Sequence, residues 1–190
     1  MTWSWLPNAI TILRLLAALP LAWLILHGHH GYALVLGVCA GASDALDGML
    51  AKRMAWQSRI GGLLDPIADK LMLMCSTLSL AVTGPVPFWF AVLVVSRDLV
   101  IVAGAITYHN LVEPLSAEPT RLSKATTFAQ IVLVVLALAG NQWPSTWPGE
   151  LFLAWLWATA ALTVASGIDY VITWGGKART IWHARRTQSR

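Results

Sequence analysis

The sequence predicts an all-α integral membrane protein of six transmembrane helices, with both termini in the cytoplasm. Three observations predict it. Of 190 residues, 57% are hydrophobic and 12% charged, and the mean hydropathy is +0.63; soluble domains are about 45–50% apolar and about 25% charged. The apolar residues gather into six runs of the length that a bilayer core asks of a helix, about 20 residues. Among the links between runs, Lys and Arg occur only in alternate ones. Such a composition excludes disorder and a disulfide scaffold. Six spans leave only loops and tails, so one domain is expected over residues 1–190, with no second, soluble one.

Segment 1 covers residues 8–27. No basic stretch precedes it, so it reads as a span and not a cleaved signal. HGHHG at 27–31 closes it; His27, His29 and His30 form either an exposed polar turn or a small metal cluster. Segment 2 (32–52) runs into a link with Lys52, Arg53 and Arg59, and segment 3 (62–83) ends at TGPVP. Segment 4 (86–108) carries Ser96, Arg97 and Asp98 inside an apolar run. EPLSAEP then leads through Arg121 and Lys124 into segment 5 (122–140). After NQWPSTWPG comes segment 6 (150–173), and then a tail with Lys177, Arg179, Arg185, Arg186 and Arg190. The basic links and tail fix the cytoplasmic side. The net charge of +4 therefore points to membrane orientation and anionic lipid, not nucleic acid. The tail is either a headgroup-contacting segment or a solvated end. Trp3, Trp5, Trp143, Trp147, Trp174 and Trp182 lie near segment ends, as an interfacial belt requires; stacking on a nucleotide base is the alternative. Cys39 and Cys75, both inside apolar runs, are expected to be buried free thiols.

Four of the nine acidic residues crowd into 44–69: Asp44, Asp47, Asp65 and Asp69. Asp44, Asp47, Gly48 and Ala51 share one face of a helix (i, i+3, i+4, i+7), as do Gly61, Asp65 and Asp69 (i, i+4, i+8). A short link makes the two helices antiparallel neighbours, so the carboxylate faces can meet. At about 1.5 Å per residue, Asp44 lies about 12 Å below Lys52, one headgroup-plus-glycerol depth into the inner leaflet. One aspartate inside a membrane helix costs about 2.5–3.5 kcal/mol, and four together repel. Protonation, Lys or Arg partners, or bound cations can compensate. Two hard divalent ions carry +4 and favour oxygen ligands, which points to a binuclear Mg²⁺ or Mn²⁺ site; the alternative is a partly protonated polar seam. Gly48 and Gly61 leave backbone space for a bulky phosphorylated ligand, or simply allow close helix packing.

This stretch resembles the signature of the CDP-alcohol phosphatidyltransferase family, D-x-x-D-G-x-x-A-R, eight residues, G-x-x-x-D-x-x-x-D. Here it is Asp44, Asp47, Gly48, Ala51, Lys52 where the family has arginine, then Gly61, Asp65 and Asp69. Lys52 keeps the charge but not the planar fork, and Arg53 stands beside it as a substitute. The resemblance implies a six-helix membrane fold, a homodimer, and transfer of a phosphatidyl group from CDP-diacylglycerol to a hydroxyl, with CMP leaving. It implies that Asp44, Asp47, Asp65 and Asp69 hold the metals and that Asp69 is the general base. Asp47, Gly48, Ala51, Lys52 and Gly61 would line the cytidine diphosphate pocket. Asn8, Thr11 and Arg14 resemble a further family pattern on that pocket, or else cap and snorkel.

Arg97 is a functional candidate because it lies within the membrane. Arg97, Lys124 and Arg59 are candidates for the acceptor's phosphate; Arg97 can instead pair with Asp98 or with a metal-site aspartate. Lys124, Thr127 and Gln130 share a helix side, which either contacts phosphates or is a polar helix start. SRDLVIVAG at 96–104 is similar to the cardiolipin synthase branch, implying phosphatidylglycerol as acceptor and cardiolipin as product; glycerol 3-phosphate is the alternative. Intramembrane carboxylates also mark cation transporters, but these place sites near the midplane, often in repeated halves, and no repeat occurs here. With no Arg-rich transit segment, a bacterial cytoplasmic membrane is expected, the active site facing the cytoplasm.

Overall fold

The computed structural model describes residues 6–54, 61–111, 120–144 and 148–188, with side chains described over 12–43, 68–104, 120–144 and 148–173. Among the described residues there are six helices and no strand: α1 (Leu6–Leu26), α2 (His30–Met54), α3 (Gly61–Thr83), α4 (Phe88–Leu111), α5 (Arg121–Gln142) and α6 (Gly149–Gln188). Each falls on one of the six apolar runs. The departure is α6, which runs 40 residues and takes in most of the basic tail. Its Ala, Arg and Lys are strong helix formers and no proline follows, so Gly175 and Gly176 do not end it. At about 1.5 Å per residue α6 spans about 60 Å, twice a bilayer core.

The chain clusters into two compact units, Met1–Ala91 with Ile131–Phe152, and Val92–Gln130 with Leu153–Arg190. In the first unit, α1 packs chiefly on α3 and also on α2. Arg14, Ala18, Leu21 and Ile25, at i, i+4, i+7 and i+11, are the buried stripe of α1. Its other faces expose Leu13, Leu16, Leu19 and Trp23. Water would penalise that surface and hydrocarbon would not. Gly28 and Gly84 close α1 and α3 at positive φ, 76° and 100°. Around Gly28 the His29 N–H donates to Leu24 O at 2.9 Å and the Gly28 N–H to Ile25 O at 3.1 Å, a Schellman cap that only glycine forms without strain.

In the second unit the helices meet through hydroxyls and amides. Thr126 Oγ1 donates to the carbonyls of Leu122 and Leu162 (2.8 and 3.2 Å). Gln130 Nε2 donates to Thr163 Oγ1 at 3.2 Å, and Trp155 Nε1 to Ala129 O at 3.1 Å.

Among the described residues, α5 and the Gly149–Thr173 part of α6 are long and apolar enough to cross a membrane. Cys39 and Cys75 are both free, as expected, but Cys39 is exposed and Cys75 half-buried. Cys39 shares the outward face of α2 with Val35 and Val38, where an apolar medium can take the place of a core. His27 stacks on Trp23 with ring centroids 4.3 Å apart, and its Nδ1 lies 2.8 Å from Trp23 O. The histidine-rich link is thus partly an aromatic cluster.

Candidate active site

Two buried cations organise the described polar residues, one in each unit. In the first, Arg14 lies on the stripe that α1 turns toward α3, and 5% of it is exposed. Its Nη1 donates to Asp69 Oδ1 at 2.8 Å, across 55 positions of sequence. The Asp69 side chain is 44% exposed, although Ala68 beside it is buried. The pair is charge-assisted, yet half open to its surroundings, so its contribution to stability is about 1 kcal/mol at most. Two residues assigned separate roles in sequence, Arg14 at the nucleotide and Asp69 at the metals, are thereby in direct contact.

The backbone is helical through Asp44, Asp47, Gly48, Ala51 and Lys52, and through Gly61, Asp65 and Asp69. The register on which both carboxylate faces depend is therefore present. The side chains of Asn8, Thr11, Asp44, Asp47, Ala51, Lys52 and Asp65, and all of Arg59, lie outside the described residues, as do Gly48 and Gly61 beyond their helical backbone. Among the described residues no three Asp, Glu, His or Cys side chains gather as a metal site; Asp69 alone of the four aspartates is among them.

In the second unit, Arg97 is knotted in place. Nη1 donates to Asp98 Oδ1 at 2.7 Å, and Nη2 donates to Ser123 Oγ at 2.8 Å and Ser166 Oγ at 2.6 Å. One guanidinium therefore ties α4 to α5 and α6. Both side chains of the ion pair are almost wholly buried (4% and 6% exposed), and a buried pair is sustained by such added hydrogen bonds. Of the two roles open to Arg97, the structure displays the pairing with Asp98. Lys124 is exposed, Thr127 Oγ1 turns back to Ser123 O at 3.1 Å, and Gln130 is buried. The side running from Lys124 to Gln130 thus passes from surface to core. Ser96 and Arg97 also line a groove of about 380 Å³ whose other walls are mostly apolar, among them Leu93, Val100, Val164 and Ile168.

Sequence reasoning missed Ser123, Thr126, Thr159, Thr163 and Ser166. Their signal was spacing: 159, 163 and 166 repeat at i, i+4 and i+7, and 123, 126 and 130 at i, i+3 and i+7.

Residues 4–171 match the profile of the CDP-alcohol phosphatidyltransferase family, a span that takes in Arg14, the aspartates, Arg97 and Lys124. The chain belongs to that family. It is 31% identical over 182 residues to the cardiolipin synthase (CMP-forming) of Rattus norvegicus, covering 87% of this chain and 60% of that protein. It is 29% identical over 184 residues to a chloroplastic CDP-diacylglycerol–glycerol-3-phosphate 3-phosphatidyltransferase of Oryza sativa, covering 88% and 56%. A Mycobacterium tuberculosis relative is 32% identical over 165 residues, covering 80% of this chain and 78% of its own length. The chain thus spans about three-fifths of the rat and rice proteins. Arg14 is bonded to Asp69, the last of the four aspartates on which the sequence resemblance rests.

Proposed function

We propose that the chain transfers the phosphatidyl group of CDP-diacylglycerol to the hydroxyl of phosphatidylglycerol, releasing CMP and forming cardiolipin. The observation that carries this reading is the alignment of residues 4–171 with the family, among whose members the rat relative bears a cardiolipin synthase name. The rice relative keeps glycerol 3-phosphate as the alternative acceptor. Family membership sets aside the transport reading.

Asp44, Asp47, Asp65 and Asp69 would hold two divalent cations, Mg²⁺ or Mn²⁺. The donor set fits: all four ligands are hard carboxylate oxygens in helical register, and 44% of the Asp69 side chain is exposed. When bound, the ions neutralise the diphosphate and the charge that grows on both sides of the bond being broken. Asp69 accepts the proton of the acceptor hydroxyl. The hydroxyl oxygen bonds to the phosphorus of the phosphatidyl group, the bond from that phosphorus to the CMP oxygen breaks, and CMP departs with the electron pair. Asn8, Thr11, Arg14, Asp47, Gly48, Ala51, Lys52 and Gly61 line the cytidine diphosphate. Lys124 and Arg59 take the acceptor's phosphate. Arg97 can join them through its Nε–H, which is buried and makes no hydrogen bond among the described residues.

In this reading the chain is one family domain of six membrane spans, works as a homodimer, and sits in a bacterial cytoplasmic membrane with its site facing the cytoplasm. The alternation of basic links supports the orientation, and the apolar outer faces of the helices support the spans. Purified protein given labelled CDP-diacylglycerol, Mn²⁺ and each acceptor in turn tests the acceptor. Labelled cardiolipin with phosphatidylglycerol, and little product with glycerol 3-phosphate, is expected; the reverse selects the alternative.

A further inference from the structure

We propose that Arg14 is the internal counter-cation of the carboxylate cluster, holding Asp69 while divalent ions are absent and competing with them for that carboxylate. The proposal rests on the metal reading given above. Arg14 is buried on a stripe otherwise made of Ala18, Leu21 and Ile25, a place where a guanidinium is costly without an anion. One anion it has found is 55 residues away and on another helix. The bond therefore joins α1 to α3 and is not an accident of local sequence.

The carboxylate is half-exposed, so an ion can reach it. A divalent ion held by that carboxylate would share it with a guanidinium whose nitrogen already lies 2.8 Å from Oδ1. Two cations on one carboxylate repel. The guanidinium thus stabilises the ion-free cluster and weakens ion binding, and both effects come from the same contact. Arg14 is in these terms a positioning residue, acting on the reaction through Asp69.

The test uses the full chain in detergent micelles. Thermal unfolding is followed in EDTA and in saturating Mn²⁺, and Mn²⁺ affinity is measured by the paramagnetic resonance of the free ion. Arg14→Gln is expected to lower the unfolding temperature by several degrees in EDTA and by clearly less in Mn²⁺, and to bind Mn²⁺ about threefold tighter or more. Arg14→Lys, which keeps the charge, should stay within about twofold of the wild-type affinity. In an Asp69→Asn background the Arg14→Gln penalty in EDTA should largely vanish, which keeps the test readable if Arg14→Gln alone fails to fold. Equal or weaker Mn²⁺ binding by Arg14→Gln, or an equal loss of stability with and without Mn²⁺, would overturn the proposal and leave the metal reading standing. Absence of Mn²⁺ binding by the wild type would overturn both.

Discussion

A carboxylate and a guanidinium meet twice among the described residues, and the two meetings differ in exposure. Asp98 and Arg97 are shut away together, whereas Asp69 keeps nearly half of its side chain accessible. The closed pair suits a joint and the open carboxylate suits chemistry. Asp69→Asn is isosteric but cannot take a proton as a carboxylate does; CMP release should fall at least about 100-fold while the protein still folds, checked by a radiolabel assay beside circular dichroism. Arg97→Met leaves the Asp98 carboxylate buried without its guanidinium, and should cost about 3 kcal/mol or more in detergent unfolding measurements. Adding Asp98→Leu should return much of that loss. Sequence made Arg97 and Asp98 visible as a pair, since they are neighbours, and Arg14 and Asp69 visible only as separate candidates. It could not show that Arg14 reaches Asp69, or that Ser123 and Ser166 complete the Arg97 knot. Those contacts span 55, 26 and 69 positions and exist only once helices pack.

The helices themselves were legible, because apolar runs and Gly- or Pro-rich breaks carry their own punctuation. The polar seam between α5 and α6 was not. Thr159, Thr163 and Thr126 each bond the carbonyl four residues earlier, so each hydroxyl in an apolar run is satisfied locally and only the shared spacing points to a partner helix. The apolar run of segment 6 ends at 173, whereas α6 continues through the paired glycines to Gln188. Packing of α4 on α6 also has a close point at Gly104, where an added Cβ would come within 2.8 Å of the Tyr170 ring. Gly104→Ala should therefore destabilise by about 1–2 kcal/mol despite alanine's better helix propensity. Substituting Tyr170→Leu in the same chain should recover part of it; unfolding midpoints of the three variants decide.

For the whole molecule, the alternation of basic links predicts which side each loop faces. With Cys39 and Cys75 replaced by serine, a cysteine at His29 should react with an impermeant maleimide in intact spheroplasts. One at Lys177 should react only after permeabilisation. Labelling of both from outside would break the six-span topology. The carboxylate register, the 44% exposure of the Asp69 side chain and the family match are what the proposed chemistry, divalent-ion-dependent cleavage of a CDP-linked lipid, rests on. Its decisive measurement is CMP release from CDP-diacylglycerol by the purified protein with phosphatidylglycerol, in Mn²⁺ and again after chelation. Release in Mn²⁺ that stops on chelation and returns on adding the ion back is expected. CMP release that continues unchanged in chelator, or none with either acceptor in Mn²⁺, would contradict it.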